Sequence, residues 1–313
     1  MVSESVPRNL NEVGPPTISI VVPTFKRVHA LETLLAALVE QVETSAHGEF
    51  VEIVVVDNCP NASARKVVED GWPAARYVHE PSAGVVSARN RGIRETTEEY
   101  ILFIDDDELP CPDWLNRFYA LAETRTAAAF GPVEPCFETE PPKYLRPALE
   151  RLFSRRLAVE DGEDVSRYRA SLGTGNSMFQ RDTCFDDDTP FNAEFENGGE
   201  DVFLLRELVL KKSVKLTWCM HASVKEFVPT ERMSKDYVRR RVFNNGRLRC
   251  RVERGSDGFH SLGKVAFWMA IGLAQFGVYG GLAILLWPVR TDLSTDFELR
   301  SAGGLGKVLW WRS

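Results

Sequence analysis

The sequence predicts an α/β protein built on a doubly wound, mostly parallel sheet, followed by a C-terminal hydrophobic helical segment. Three observations predict it. Short β-branched runs alternate with amphipathic helical stretches between residues 18 and 104, which is the pattern of a parallel sheet. Those runs end on polar residues, as strands do where a ligand site gathers at their carboxyl ends. Residues 265–289 carry no charged side chain at all.

Composition narrows the class of protein. The chain has 313 residues and is 44% hydrophobic, enough for one large domain or two smaller ones. A net charge of -7 excludes a global phosphate-backbone footprint, so no nucleic-acid partner is expected. Locally the sign reverses: Arg239, Arg240, Arg241, Arg247, Arg249, Arg251 and Arg254 crowd one segment, which suits an anionic surface or ligand. The six cysteines are scattered without a C-x-x-C pair and read as reduced thiols in a cytoplasmic setting. Residues 1–17 are expected to be a flexible polar tail, lacking the basic start and apolar core of a signal peptide.

Taken in order, residues 18–22 form a buried strand that stops at Pro23, and Thr24 to Arg27 form a polar loop. Leu31, Leu34, Leu35, Leu38, Val39 and Val42 then recur on one helical face. A second strand, 51–56, ends at Asp57; a short helix spans 62–69, and a weaker strand begins at Tyr77. Gly84 leads into a helix carrying Arg89, Asn90 and Arg91, and residues 100–104 form the next buried strand. Directly after it stand Asp105, Asp106, Asp107 and Glu108. Pro112 opens a helix to about residue 125, where prolines are tolerated, and 127–133 is another strand. Residues 134–170 lack periodicity and are expected to be a long surface excursion, either a lid or a mobile insertion. A Gly-rich segment, 173–179, runs into a short strand; a helix spans 202–212 and a final strand 214–218.

Several residues invite chemistry. Four carboxyl groups behind one buried strand repel each other, which favours a cation among them, although an isolated acidic triplet is as readily a solvated turn. The second triplet, Asp186 to Asp188, has no buried strand before it and reads as such a turn. Thr24, Asp57 and the first triplet are candidates for a shared nucleotide site, while each taken singly is also an ordinary turn residue. Neither G-x-G-x-x-G nor a P-loop follows any strand. Glu200 and Asp201 suit a helix start through the macrodipole alone, or hold a general base there. His221 is either a structural hydrogen-bonding histidine or a metal or phosphate contact.

The order of these motifs resembles the family 2 glycosyltransferases, inverting enzymes with the GT-A fold. The matching pieces are residues 21–25 (VVPTF), residues 55–58 (VVDN), Gly84 with Ala88, Arg89, Asn90 and Gly92, the Asp105 to Asp107 triplet, and Glu200 with Asp201. The resemblance implies that Pro23, Thr24 and Asp57 hold the nucleoside of a nucleotide-sugar donor, with Arg89 and Asn90 near its base or diphosphate. It implies Asp105 at the ribose with Asp106 beside it, and Asp107 on a Mg²⁺ or Mn²⁺ ion, with His221 as a further candidate ligand. It places the catalytic base at Asp201, with Glu200 second. In such an enzyme the cation neutralises the diphosphate leaving group while a carboxylate takes the acceptor's proton.

The absence of a Q-x-x-R-W stretch favours addition of a single sugar rather than processive synthesis. Residues 222–229 with Arg232 and Arg239 to Arg241 are similar to bacterial exopolysaccharide glycosyltransferases of the succinoglycan type. That likeness implies a lipid-linked saccharide acceptor, with a UDP-sugar as the expected donor. A nucleotidyltransferase would carry a Gly-rich basic loop after the first strand, which residues 23–25 do not supply, and Asp107 with Asp201 argues against an inactive binding subunit.

Residues 265–289 are long enough to cross a membrane, and Gly272, Gly277, Gly280 and Gly281 also permit a broken re-entrant hairpin; a helical hairpin buried on the domain is the third reading. The arginines on its N-terminal side put the catalytic domain at the cytoplasmic face of the inner membrane. Trp310, Trp311 and Arg312 resemble an interfacial anchor. The expected organisation is a tail to residue 17, a GT-A domain over 18–255, and a membrane-associated segment over 256–313.

Overall fold

The structure, a computed structural model, describes residues 14–196, 198–255 and 260–312. Of the expected tail, residues 1–13 lie outside the described residues, as do residues 256–259 at the expected boundary of the last segment. The chain is anchored before residue 18: the Pro16 carbonyl accepts from the Tyr119 hydroxyl at 3.0 Å, and the Thr17 carbonyl accepts from the Tyr100 N–H at 2.9 Å.

The first half alternates as the sequence predicts: β1 (Ile18–Thr24), α1 (Val28–Thr44), β2 (Val51–Asp57), α2 (Arg65–Gly71), β3 (Ala75–His79), α3 (Val85–Glu95) and β4 (Tyr100–Phe103). Side chains alternate across the sheet, so each strand feeds two cores. Ile18, Ile20 and Val22 pack with Leu31, Leu34, Leu35 and Leu38 of α1 on one face. Val21 faces the other way, with Val54, Val56, Phe103 and the apolar side of α3. Each fully buried aliphatic side chain contributes roughly 1.5–3 kcal/mol, so burial on both faces fixes these strands in the interior.

There follow β5 (Glu108–Pro110), α4 (Trp114–Glu123), β6 (Ala128–Phe130), β7 (Val133–Phe137), α5 (Arg146–Phe153), β8 (Ser177–Gln180), α6 (Arg181–Cys184), α7 (Glu200–Leu210), β9 (Leu216–Trp218) and β10 (Val224–Val228). The main sheet has the order β3-β2-β1-β4-β8-β6-β9, in which β8 runs antiparallel to both neighbours and the other pairings are parallel. A second sheet, β5-β10-β7, lies beyond the acidic run.

The expected strand over 127–133 is two strands in different sheets. Pro132 has no N–H for a ladder, and Gly131 passes so near the segment leading into β10 that an added Cβ would sit 2.0 Å from the Ala222 carbonyl oxygen. The excursion over 134–170 is likewise more ordered than its composition suggests. It carries β7 and α5, and its Arg155 is buried, donating 2.8 Å hydrogen bonds to the carbonyls of Gly131, Gly173, Gly175 and Asn176.

Three helices close the chain: α8 (Lys235–Arg254), α9 (His260–Leu286) and α10 (Thr291–Val308). The expected last segment, 256–313, holds α9 and α10, and they differ in character. α9 is apolar and long enough to cross a membrane, with a mean hydropathy of 1.8, whereas α10 carries Asp292, Asp296, Glu298, Arg300 and Lys307. α9 continues unbroken through all four of its central glycines, so the re-entrant break is not formed. α9 and α10 do make a helical hairpin, but only 11% of the apolar window of α9 is buried.

Candidate active site

The carboxyl ends of β1, β2 and β4 come together because the strands are parallel and in register, Thr24 opposite Asp57 and Val21 opposite Phe103. A cavity of about 620 Å³ opens there, within the range of small-molecule sites. Pro23 and Thr24 line it from β1, Asn58 from the end of β2, Gly84 and Arg89 from the start of α3, and Asp105 to Asp107 from the turn after β4. Glu226, Arg232 and Arg241 complete the wall.

The acidic run turns sharply, with the Glu108 N–H donating to the Asp105 carbonyl at 3.0 Å and the Glu108 carboxylate accepting from the Asp105 N–H at 3.0 Å. The three aspartates therefore point in different directions. Asp105 meets Arg89 Nη2 at 3.3 Å and is the most open, its side chain 37% exposed. Asp106 turns under β1, accepting from the Thr24 hydroxyl at 2.8 Å and from Arg27 Nη1 at 2.8 Å. Asp107 takes the same Arg27 nitrogen at 2.7 Å and Arg232 Nη1 at 3.4 Å. Gly175 gives the run its space, since a Cβ there would lie 2.7 Å from Asp105 Oδ2.

Crowding raises the proton affinity of these acids. Burial pushes Asp106 up to about 6 although Arg27 opposes it. Burial, with Asp107 and Asp105 adding repulsion, pushes Glu226 up to about 7. Asp107 and Glu108 are raised too, burial again being the first cause. These are hard oxygen donors whose proton affinity stays raised even beside Arg27 and Arg232, which fits a divalent cation. Among the described residues no three acidic, histidine or cysteine side chains converge as a closed metal cage. The residues therefore fit an open site of one or two carboxylates, as Mg²⁺ commonly uses when phosphates supply the remaining ligands.

Glu200 and Asp201 begin α7 on the other side of Arg89. Arg89 Nη1 donates to Glu200 Oε1 at 2.7 Å, an ion pair whose side chains are 6% and 8% exposed. Arg89 Nε and Glu200 Oε2 are buried without a hydrogen-bond partner. Burial and then the Asp201 charge push Glu200 up to about 7, and burial raises Asp201 as well. Asp201 is half-buried; among the described residues its only hydrogen bond is from the Val202 N–H to Oδ1, at 2.6 Å.

Three candidates from the sequence stand elsewhere. The Asp57 carboxylate is fully buried, accepting from the N–H groups of Cys59 and Ala64 and from the Tyr77 hydroxyl, so it braces the loop while the next residue, Asn58, lines the cavity. Asn90 points away: its side chain donates to the Phe191 carbonyl and accepts from the Phe191 N–H, at 2.8 and 3.0 Å. His221 is a correction to the expected ligand set. β10 runs from Val224, opposite Pro110, to Phe227, whose N–H meets the Asp107 carbonyl; His221 lies beyond the Val224 end, more than about 10 Å along the strand from Asp107. Its carbonyl accepts from the Cys111 thiol there.

Arg27, Glu226 and Arg155 are the site residues that sequence reasoning missed. For Glu226 a signal existed: a period of two over residues 224–228 puts it on the inward face with Val224 and Val228. Arg27 and Arg155 sit in stretches without periodicity and gave none.

Comparison with known proteins points the same way. The family model described as "Glycosyl transferase family 2" matches residues 19–181, more than half of the chain. The succinoglycan biosynthesis protein ExoM of Rhizobium meliloti is 29% identical over 278 residues, covering 87% of this chain and 85% of that protein. An uncharacterized glycosyltransferase, EpsJ of Bacillus subtilis, is 27% identical over 210 residues, covering 61% and 59% of the two chains. Among solved structures, the mannosyltransferase PcManGT from Pyrobaculum calidifontis, in complex with GDP-Man and Mn²⁺, superposes with a TM-score of 0.59 at 17% identity over 96% of this chain and 91% of that one. S. aureus TarS 1–349 in complex with UDP gives 0.55 at 16% identity over 91% and 90%. At these identities the structures show a shared GT-A type fold.

Proposed function

The chain belongs to glycosyl transferase family 2, and from that membership we propose that it moves one sugar from a nucleotide-sugar, a UDP-sugar first among donors, to a lipid-linked saccharide at the cytoplasmic face of the membrane, with inversion. The observation that carries the reading is the cavity at the ends of β1, β2 and β4, with an acidic pair across Arg89 from the acidic turn. Likeness over most of the chain to a succinoglycan biosynthesis protein supports a place in surface polysaccharide assembly.

Pro23, Thr24 and Asn58 form the wall suited to the nucleoside, and Asp105, the most exposed of the triplet, can accept from ribose hydroxyls. Four arginines and four carboxylates line the cavity, Arg27, Arg89, Arg232 and Arg241 against Asp105, Asp106, Asp107 and Glu226, so the wall is formally neutral. A neutral wall gives a diphosphate little net attraction, which favours a cation entering with it. Asp107 would hold Mg²⁺ or Mn²⁺, which supplies charge neutralisation for the leaving diphosphate. Asp201 is the base: Glu200 is committed to Arg89, whereas Asp201 is open enough to meet an acceptor hydroxyl.

Asp201→Asn tests the assignment. Sugar transfer should be lost while nucleotide affinity, read by calorimetry with Mn²⁺, stays within about threefold. Unchanged turnover removes Asp201 from the role. A thermal-shift screen of UDP-, GDP- and dTDP-sugars identifies the donor, and stabilisation by none of them contradicts the nucleotide-sugar reading.

A further inference from the structure

We infer that α9 lies flat in one leaflet of an anionic bilayer, docked to the catalytic domain through α10, and does not cross the membrane. This concerns how the chain meets lipid and does not depend on the sugar-transfer reading.

α9 has α10 as its packed neighbour. α10 runs back along it, with Ser294 Oγ donating to the Ala283 carbonyl at 2.8 Å, Ser301 Oγ to the Phe276 carbonyl at 3.0 Å, and Lys307 Nζ to Gln275 Oε1 at 2.8 Å. The backbones nearly touch: a Cβ on Gly272 would lie 2.7 Å from the Gly304 carbonyl oxygen. On its other side α10 is tied to the catalytic domain. Asp296 pairs with Arg151 and Glu298 with Lys235, and Leu299 is buried with Leu145 and Leu149 of the α5 region.

A spanning α9 would have to leave α10 behind or carry these ion pairs into hydrocarbon. Exposing the backbone contacts of α10 or burying its charges in lipid is expensive either way. The geometry in hand avoids both, since one side of α9 faces a charged, domain-bound helix and the other is open. That open side is apolar, with Phe267, Leu273, Val278 and Leu285 each at least 60% exposed.

The ends of α9 favour lipid over a second protein. At its start Arg254 Nη1 reaches Ser261 Oγ at 3.3 Å and Arg249 stacks over Trp268 at 4.1 Å; at its end stand Trp287, 73% exposed, and Arg290. Tryptophan with a cation at both ends of an apolar run matches the interfacial zone of a membrane with anionic headgroups.

The test uses the full chain with Cys111 and Cys136, the two cysteines that are not buried, replaced by serine. A nitroxide is attached at Phe267→Cys, Val278→Cys or Leu285→Cys, and its depth is measured by power saturation on phosphatidylethanolamine–phosphatidylglycerol vesicles. The first and last sites are about 27 Å apart along the helix. A flat helix gives three similar shallow depths. A graded series with Val278 deepest means a spanning helix and overturns the inference, as does full water exposure at all three sites. Shielding of the labels without vesicles, together with a dimeric mass in light scattering, would assign the face to a second copy and also overturn it. Independently, Val278→Glu with Leu285→Glu should lower flotation with these vesicles at least about tenfold at unchanged melting temperature. Undiminished flotation would refute a lipid-facing surface.

Discussion

In the free protein Arg27 occupies the charge position that a metal would take. Its Nη1 lies 2.8 Å from Asp106 Oδ1 and 2.7 Å from Asp107 Oδ2, one nitrogen bridging two carboxylates. Hydrogen bonds between charged groups contribute roughly 1.5–3 kcal/mol each. The Arg27 side chain is 40% exposed, and solvent screening brings the pair to about 1–2 kcal/mol together. A cation that binds Asp107 must compete with this contact. Arg27→Ala should therefore tighten binding of Mn²⁺ alone by about 5- to 30-fold, the same free energy expressed as a ratio. The assay is calorimetric titration with Mn²⁺ at pH 8 without donor, where protons compete least for the carboxylates. The metal-free variant should also lose about 1–2 kcal/mol of stability and regain it on adding Mn²⁺. Unchanged or weaker Mn²⁺ binding by a folded variant refutes the reasoning, because Asp107 would then not be the position at which cation and arginine compete.

Other expectations follow from the same contacts. The ligand-free protein should gain stability as pH falls from 8 towards 5. Glu200 and Glu226 have folded values raised to about 7 and Asp106 to about 6, so their contribution is fully present below the ordinary values of 4.5 and 3.8 and is lost as pH rises through 6 to 7. A melting temperature flat across that window would show that the carboxylates are not strained; Mn²⁺ with nucleotide should flatten it. Asn176→Ala removes the partners of Trp114 Nε1 and of the Ala222 carbonyl, both buried, and one of the two donors to the Pro132 carbonyl, which keeps the Val224 N–H; it should cost about 2–4 kcal/mol in urea unfolding. A loss below about 1 kcal/mol would mean that water replaces the side chain. Gly175→Ala presses on the movable end of Asp105 and should weaken nucleotide binding about tenfold while melting changes little. Equal affinity would show that Asp105 does not contact the donor.

The parts of this protein legible in its sequence are those where one local rule acts. The buried runs of β1, β2 and β4 have no other place to go, and the polar residues that end them meet because parallel register aligns strand ends. Orientation within a loop follows no such rule. Asp57 and Asn58 are adjacent, and partners distant in sequence help decide that the aspartate faces inward, towards Cys59, Ala64 and the Tyr77 hydroxyl, and that the asparagine lines the cavity, held by the carbonyls of Glu80 and Ser82 and the Gly84 N–H. Arg155 was hidden for a different reason. It lies in a stretch without periodicity, and its four carbonyl partners come from two other segments, a convergence that exists only after folding. The apolar run over 265–289 was ambiguous because hydropathy measures α9 alone, whereas the docking of α9 against the domain runs through α10 and its ion pairs.

The acidic turn also keeps the two proposed roles, donor binding and proton acceptance, apart within a small space. Because Asp105, Asp106 and Asp107 diverge, only Asp105 reaches Arg89, and Arg89 in turn holds Glu200 at the start of α7. Arg89 is thus a buried cation shared between Asp105 and Glu200, one terminal nitrogen of its planar fork on each. With Arg89 balancing Asp105 and Glu200, the adjacent Asp201 is left to a cation only through longer-range fields, from Arg89 and Arg241. Among the described residues Asp201 has no direct ion pair, and a partly buried carboxylate of raised proton affinity would suit the proposed base, which must take a proton and release it within one turnover.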